Sequence, residues 1–138
     1  MNATFDRSAD AAAWVDSMLD AASEFLGSTP DLVVGRSLSS LAAVRVADTD
    51  TPSIWNAPLL NRVEVRDGLM ALNVPSLLVG GTEDPSWDGE FASQIPHATV
   101  AELDGVDHSW EIVGDPIGSI DVLRSVAEAV HQFASALA

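Results

Sequence analysis

Three short stretches of this chain carry side chains suited to nucleophilic catalysis: Ser37 in VGRSLS, Asp84 in GGTEDP and His108 in GVDHSW. A serine hydroxyl is a weak nucleophile until an imidazole takes its proton, and the imidazolium then formed needs a fixed carboxylate on its other nitrogen. The roles would be attack by Ser37, proton transfer by His108 and orientation by Asp84. Each residue follows an apolar run: DLVV before Ser37, PSLLV before Asp84, and TVAEL before His108. Separations of 47 and 24 residues leave space for the intervening elements but none for an inserted lid domain, so the site is expected to be open. Taken singly, each residue has a structural reading. A serine often occupies a strand-to-helix turn, Asp84 could cap a helix near Trp87, and His108 could be a turn residue. Asp107 and Glu83 are further candidates for the acid. His97 in IPHATV and His131 in the last helical segment are read as structural from position alone.

The elements that must position these loops alternate along the chain. In residues 8–26 the apolar positions Ala11, Trp14, Val15, Met18, Leu19, Ala22, Phe25 and Leu26 recur at spacings of three and four, predicting an amphipathic helix. Ser8 or Asp10 would cap it and Gly27 end it. Residues 32–34 read as a strand buried on both faces, because the run has no polar alternation. Helix is predicted over 38–46, strand over 53–56, helix over 63–72, strand over 75–79, a short helix over 87–95, strand over 99–103 and a long helix over 117–137. Four strands separated by helical crossovers imply a parallel sheet flanked by helices, with ligands at the carboxyl ends of the strands. One domain spanning 1–138 is expected from the length and the 47% hydrophobic content.

Gly35-Arg36-Ser37-Leu38-Ser39, lying between a strand and a helix, has the context of a nucleophile elbow. There a serine takes a strained backbone conformation, and small residues two before and two after let strand and helix pack closely. DLVVGRSLSSLAAV resembles the elbow of the α/β-hydrolase family, with Ser39 standing where glycine is usual. GGTEDP resembles that family's acid loop and GVDHSW its histidine loop, and the order serine, acid, histidine is the family's own. The resemblance implies a truncated α/β-hydrolase-like three-layer sandwich without a lid, and a catalytic set of Ser37, Asp84 and His108. It also implies an oxyanion hole, in which the Leu38 N–H supplies one donor and a loop after an earlier strand the other. Only seven residues, MNATFDR, precede the first helix. The resemblance therefore covers the chain from about Asp31 onward, together with the helix before it. On this expectation DLVVG, central in the family, becomes an edge strand, and a homodimer would cover it.

Composition narrows the remaining classes. Twenty-one acidic against six basic residues give a net charge of −15, which repels phosphate backbones and anionic membrane surfaces. No nucleic acid or membrane partner is expected. The chain has no cysteine, so disulfides, thiolate ligands and a cysteine nucleophile are excluded. The histidines show no metal-ligand spacing, and no metal or other cofactor is expected. No leader pattern opens the sequence and no apolar run reaches membrane-spanning length, so a cytoplasmic location is expected. Trp55, Trp87 and Trp110, with Phe91, fall near predicted strand ends, where they could line an acyl pocket or fill the core. The expectation is a serine hydrolase cleaving a small-molecule ester or thioester through an acyl-enzyme on Ser37. The alternatives are a catalytically weak or inactive binding or assembly module of the same fold, and a fragment that works with a separately encoded partner.

Overall fold

The computed structural model describes residues 10–138. Helix α1 (Ala11–Leu26) is capped by Asp10, whose carboxylate accepts the Ala12 N–H at 2.9 Å, and it stops at Gly27 in the left-handed region, φ 65°. Ser8, the other expected cap, lies outside the described residues. Strand β1 (Val33–Arg36) runs into a 3-10 helix (Ser37–Ala42) that continues as α2 (Ala43–Ala47). Then follow β2 (Ser53–Asn56), α3 (Val63–Met70), β3 (Ser76–Gly81), the single turn α4 (Gly89–Ala92), β4 (Ala98–Leu103) and α5 (Pro116–Leu137). The expected elements are all present. The main difference is that the segment after Ser37 begins as 3-10 helix rather than α-helix, tightening the chain directly after the elbow.

The four strands form one parallel sheet in the order β1-β2-β3-β4. Every residue of β2 and β3 is buried, as strands covered on both faces must be. One face is covered by α1 to α4, around Val15, Leu41, Val46, Trp55, Val65, Leu69, Leu78 and Ala92. The other is covered by α5, whose Val122 and Val126 pack with Ile54, Leu77, Val79 and Val106. The layers are therefore helix, sheet, helix. Val34 departs from the expectation of burial on both faces: it is 59% exposed, because β1 is the sheet's outer strand among the described residues. Between α1 and β1 a groove of about 220 Å3 runs along this edge, lined by Trp14, Met18, Leu19, Val33 and Ser39 among others.

Asp88 ties α4 to α3. Its carboxylate accepts the Phe91 N–H at 2.9 Å and the Arg66 guanidinium lies 2.6 Å away, which together hold the carboxyl below its ordinary range. The two covered faces should dominate stability. Leu78→Ala, at a fully buried site, is expected to lower the unfolding free energy by about 2–5 kcal/mol, against roughly 0.5 kcal/mol or less for Val34→Thr at the open edge. Equilibrium urea unfolding of the two variants measures the contrast.

Candidate active site

Strand β1 delivers Ser37 at its carboxyl end. Arg36 is still extended, φ −135° and ψ 138°, and Ser37 then turns to φ 50°, a left-handed conformation that L side chains rarely adopt. The reversal is held from several sides. Gly35 lies so close to Trp55 that a Cβ there would stand 2.6 Å from the indole Cζ3, so glycine two residues before Ser37 is required by packing, and Ser39 lies at contact distance on the other side. Ser40, completely buried, donates from Oγ to the Ser37 carbonyl at 2.6 Å and accepts the Leu59 N–H at 3.1 Å. That pair of bonds pins the elbow to the loop after β2.

The acid loop follows β3 and is built against the histidine loop that follows β4. Thr82 N–H donates to the Leu103 carbonyl at 3.0 Å, Glu83 N–H to the Val106 carbonyl at 3.0 Å, and Gly105 N–H to Thr82 Oγ1 at 2.8 Å. Asp84 is 3% exposed, and its Oδ1 accepts the Ser86 N–H at 2.8 Å. Its Oδ2 lies 2.7 Å from His108 Nδ1, and His108 Nε2 lies 2.8 Å from Ser37 Oγ. A carboxylate only accepts, so Nδ1 carries the ring proton and Nε2 is left to accept from the Ser37 hydroxyl. Loops 24 and 47 residues apart in sequence thus meet in one hydrogen-bonded line at the carboxyl rim of the sheet.

The other acid candidates are placed elsewhere. Asp107 Oδ1 accepts the Ser109 and Glu111 N–H groups, each at 2.9 Å, and so braces the histidine loop. Glu83 is exposed, and its backbone N–H serves the loop pairing given above. His97 sits at φ 60° in the turn before β4, and its carbonyl accepts the Ser76 N–H at 3.1 Å. His131 lies on α5. The Leu38 N–H is in the first turn of the 3-10 helix, where amides have no acceptor within the helix.

The tryptophans, expected to line an acyl pocket or fill the core, divide between the two faces of the sheet. Trp55 is wholly buried and donates from Nε1 to Ser53 Oγ at 2.9 Å, so it is the floor beneath Gly35. Trp87 packs on the same face against Gly80 and donates to Glu102 at 2.7 Å. Trp110 packs on the opposite face, beside the α5 cluster, under the Arg36 guanidinium. Trp55 also borders the groove between α1 and β1. Sequence reasoning missed Arg36 and Ser40. Arg36 donates to the His108 carbonyl at 3.0 Å, a contact across 72 residues that no local pattern announces. Ser40 carried one signal, a second serine directly after the small Ser39 where an apolar residue would otherwise face the core.

Among the described residues no group of histidines and carboxylates could hold a metal ion, and no helix is long and apolar enough to cross a membrane. No protein-family model matches the sequence, and no curated protein matches it. Solved structures do match. The monoacylglycerol lipase of Paleococcus ferrophilus superimposes with a TM-score of 0.61 at 16% identity, covering 88% of this chain and 76% of that one. An alpha-beta serine hydrolase homologue from Coxiella burnetii gives 0.61 at 17% identity, over 91% of this chain and 60% of the other. A predicted CIB-like hydrolase from Thermoplasma acidophilum gives 0.64 at 15%, over 91% and 62%. The chain therefore spans less than two thirds of the length of two of these proteins. Its four parallel strands flanked by helices form a truncated α/β-hydrolase-like fold.

Proposed function

We propose that the protein is a serine hydrolase that cleaves a small ester or thioester through an acyl-enzyme on Ser37. The observation that carries the reading is the unbroken line from Ser37 Oγ to His108 Nε2 at 2.8 Å and from His108 Nδ1 to the buried Asp84 carboxylate at 2.7 Å. Attack of Ser37 Oγ on the acyl carbon passes the hydroxyl proton to His108, and Asp84 steadies the imidazolium. Collapse of the tetrahedral intermediate breaks the bond to the leaving alcohol or thiol, which takes the proton from His108. Water, deprotonated by the same imidazole, then attacks the acyl-serine and releases the acid. The Leu38 N–H would face the developing oxyanion.

A second reading, a catalytically weak or inactive binding or assembly module, is favoured by the position of β1. It is the outer strand, so among the described residues no strand beyond it carries a loop with a second oxyanion donor, and one such donor is worth about 2.7–4 kcal/mol in the barrier. A fluorophosphonate probe separates the readings. The native chain should label rapidly and Ser37→Ala not at all; a native chain that labels no faster than Ser37→Ala belongs to the binding module. Asp84→Asn keeps the shape of the acid but allows the wrong imidazole tautomer, and should slow ester hydrolysis by roughly 10^4-fold. Stopped-flow or long-incubation assays with an activated acyl ester measure this, and a loss under tenfold would remove Asp84 from the proposed relay. For the exposed β1 edge we propose a homodimer that covers it. Small-angle scattering at micromolar concentration should return the mass of two chains, and a monodisperse monomer rejects the dimer.

A further inference from the structure

The described arginines divide by what they face. Arg45 lies 2.7 Å from Asp20, Arg62 3.3 Å from Glu64, Arg66 2.6 Å from Asp88 and Arg124 3.4 Å from Asp121. Arg36 has no carboxylate within ion-pair distance among the described residues. Its Nη2 donates instead to the backbone carbonyl of His108 at 3.0 Å, and its guanidinium carbon stands 4.8 Å from the centre of the Trp110 ring. In a chain with 21 acidic residues to 6 basic ones, a cation set against a carbonyl and an indole, with no carboxylate partner among the described residues, is a specific placement.

From this we infer that Arg36 is a positioning residue that fastens the histidine loop to the nucleophile turn, an inference that rests on the hydrolase reading above. The contacts close a ring. Arg36 precedes Ser37 in the chain, Ser37 Oγ bonds the His108 imidazole, and the His108 carbonyl returns to the Arg36 guanidinium. A closed circuit of this kind fixes the backbone that carries the base relative to the backbone that carries the nucleophile, which the side-chain bonds alone leave free to drift. The histidine loop needs such a tie. Its imidazole side is 35% exposed, and the loop turns through left-handed conformations at Gly105, φ 72°, and Trp110, φ 68°. Trp110 Nε1 is buried without a hydrogen-bond partner, so the ring is held by packing and by the cation over its face. A guanidinium can donate within its plane to a carbonyl and also stand over an aromatic ring, whereas an ammonium offers the charge without the plane.

The test uses the full chain. Arg36→Met should lower kcat for an activated ester, and the rate of fluorophosphonate labelling, by roughly 10- to 100-fold with KM unchanged, the scale expected for misplacement by an ångström or less. Arg36→Lys should fall between, and millimolar guanidinium should restore part of the lost rate to Arg36→Gly. Trp110→Leu, which removes the stacking face and leaves Arg36 in place, should shift kcat in the same direction by less, and it stands in if Arg36→Met does not fold. Independently of turnover, the downfield proton resonance of His108 Nδ1–H should be sharp in the native chain and broadened in Arg36→Met. A native labelling rate with an unaltered resonance in Arg36→Met overturns the inference. So does a loss confined to KM, which would make Arg36 a substrate contact. If the native chain itself does not label, the hydrolase reading fails, and the resonance alone decides whether Arg36 positions His108.

Discussion

The hydrogen bond between His108 Nδ1 and the Asp84 carboxylate is the constraint around which the site is organised. A carboxylate almost without solvent must be paired, because an uncompensated buried charge costs several kcal/mol. Asp84 is satisfied by the Ser86 N–H and by His108, and this arrangement has consequences in both directions. Inward, it demands that the loops after β3 and β4 dock, which the Thr82, Glu83 and Gly105 backbone bonds accomplish. Outward, it sets the imidazole tautomer and so presents an acceptor nitrogen to Ser37.

The Ser37 turn answers a different demand. A serine at φ 50° is held in a conformation that costs on the order of 1–3 kcal/mol unless its surroundings fix it. Here they do. The indole of Trp55 fills the space under Gly35, and Ser40 grips the Ser37 carbonyl from below while holding the loop after β2. The largest aromatic side chain in the core therefore supports the elbow, and it also borders the groove between α1 and β1.

The sheet is unevenly covered. Its two middle strands are buried throughout, while β1, which leads into Ser37, is the outer strand among the described residues and lies beside a groove of about 220 Å3. Placing β1 at an edge leaves its outer backbone groups without a strand partner among the described residues. The exposure of Val34 follows from the position of β1 at the end of the sheet order.

Local patterning was enough to read much of this in advance. Period and punctuation marked the helices and strands, since apolar spacing of three and four or short apolar runs bounded by turn residues reflect which faces must be buried. The Gly35–Ser39 spacing marked the elbow, because steric crowding at a strand-to-helix reversal acts over five consecutive residues. The three site loops were legible because each directly follows a strand, and parallel strands put such loops on one rim. Tertiary structure alone decided what depends on which strand neighbours which. It chose Asp84 over Asp107 and Glu83 by turning Asp107 into a brace for the histidine loop. It separated the tryptophans between the two faces, exposed Val34 at an edge, and set Arg36 on a carbonyl 72 residues away. Those outcomes follow from contacts across the fold, whose partners are fixed by sheet order and helix placement and leave no trace in the spacing of nearby residues.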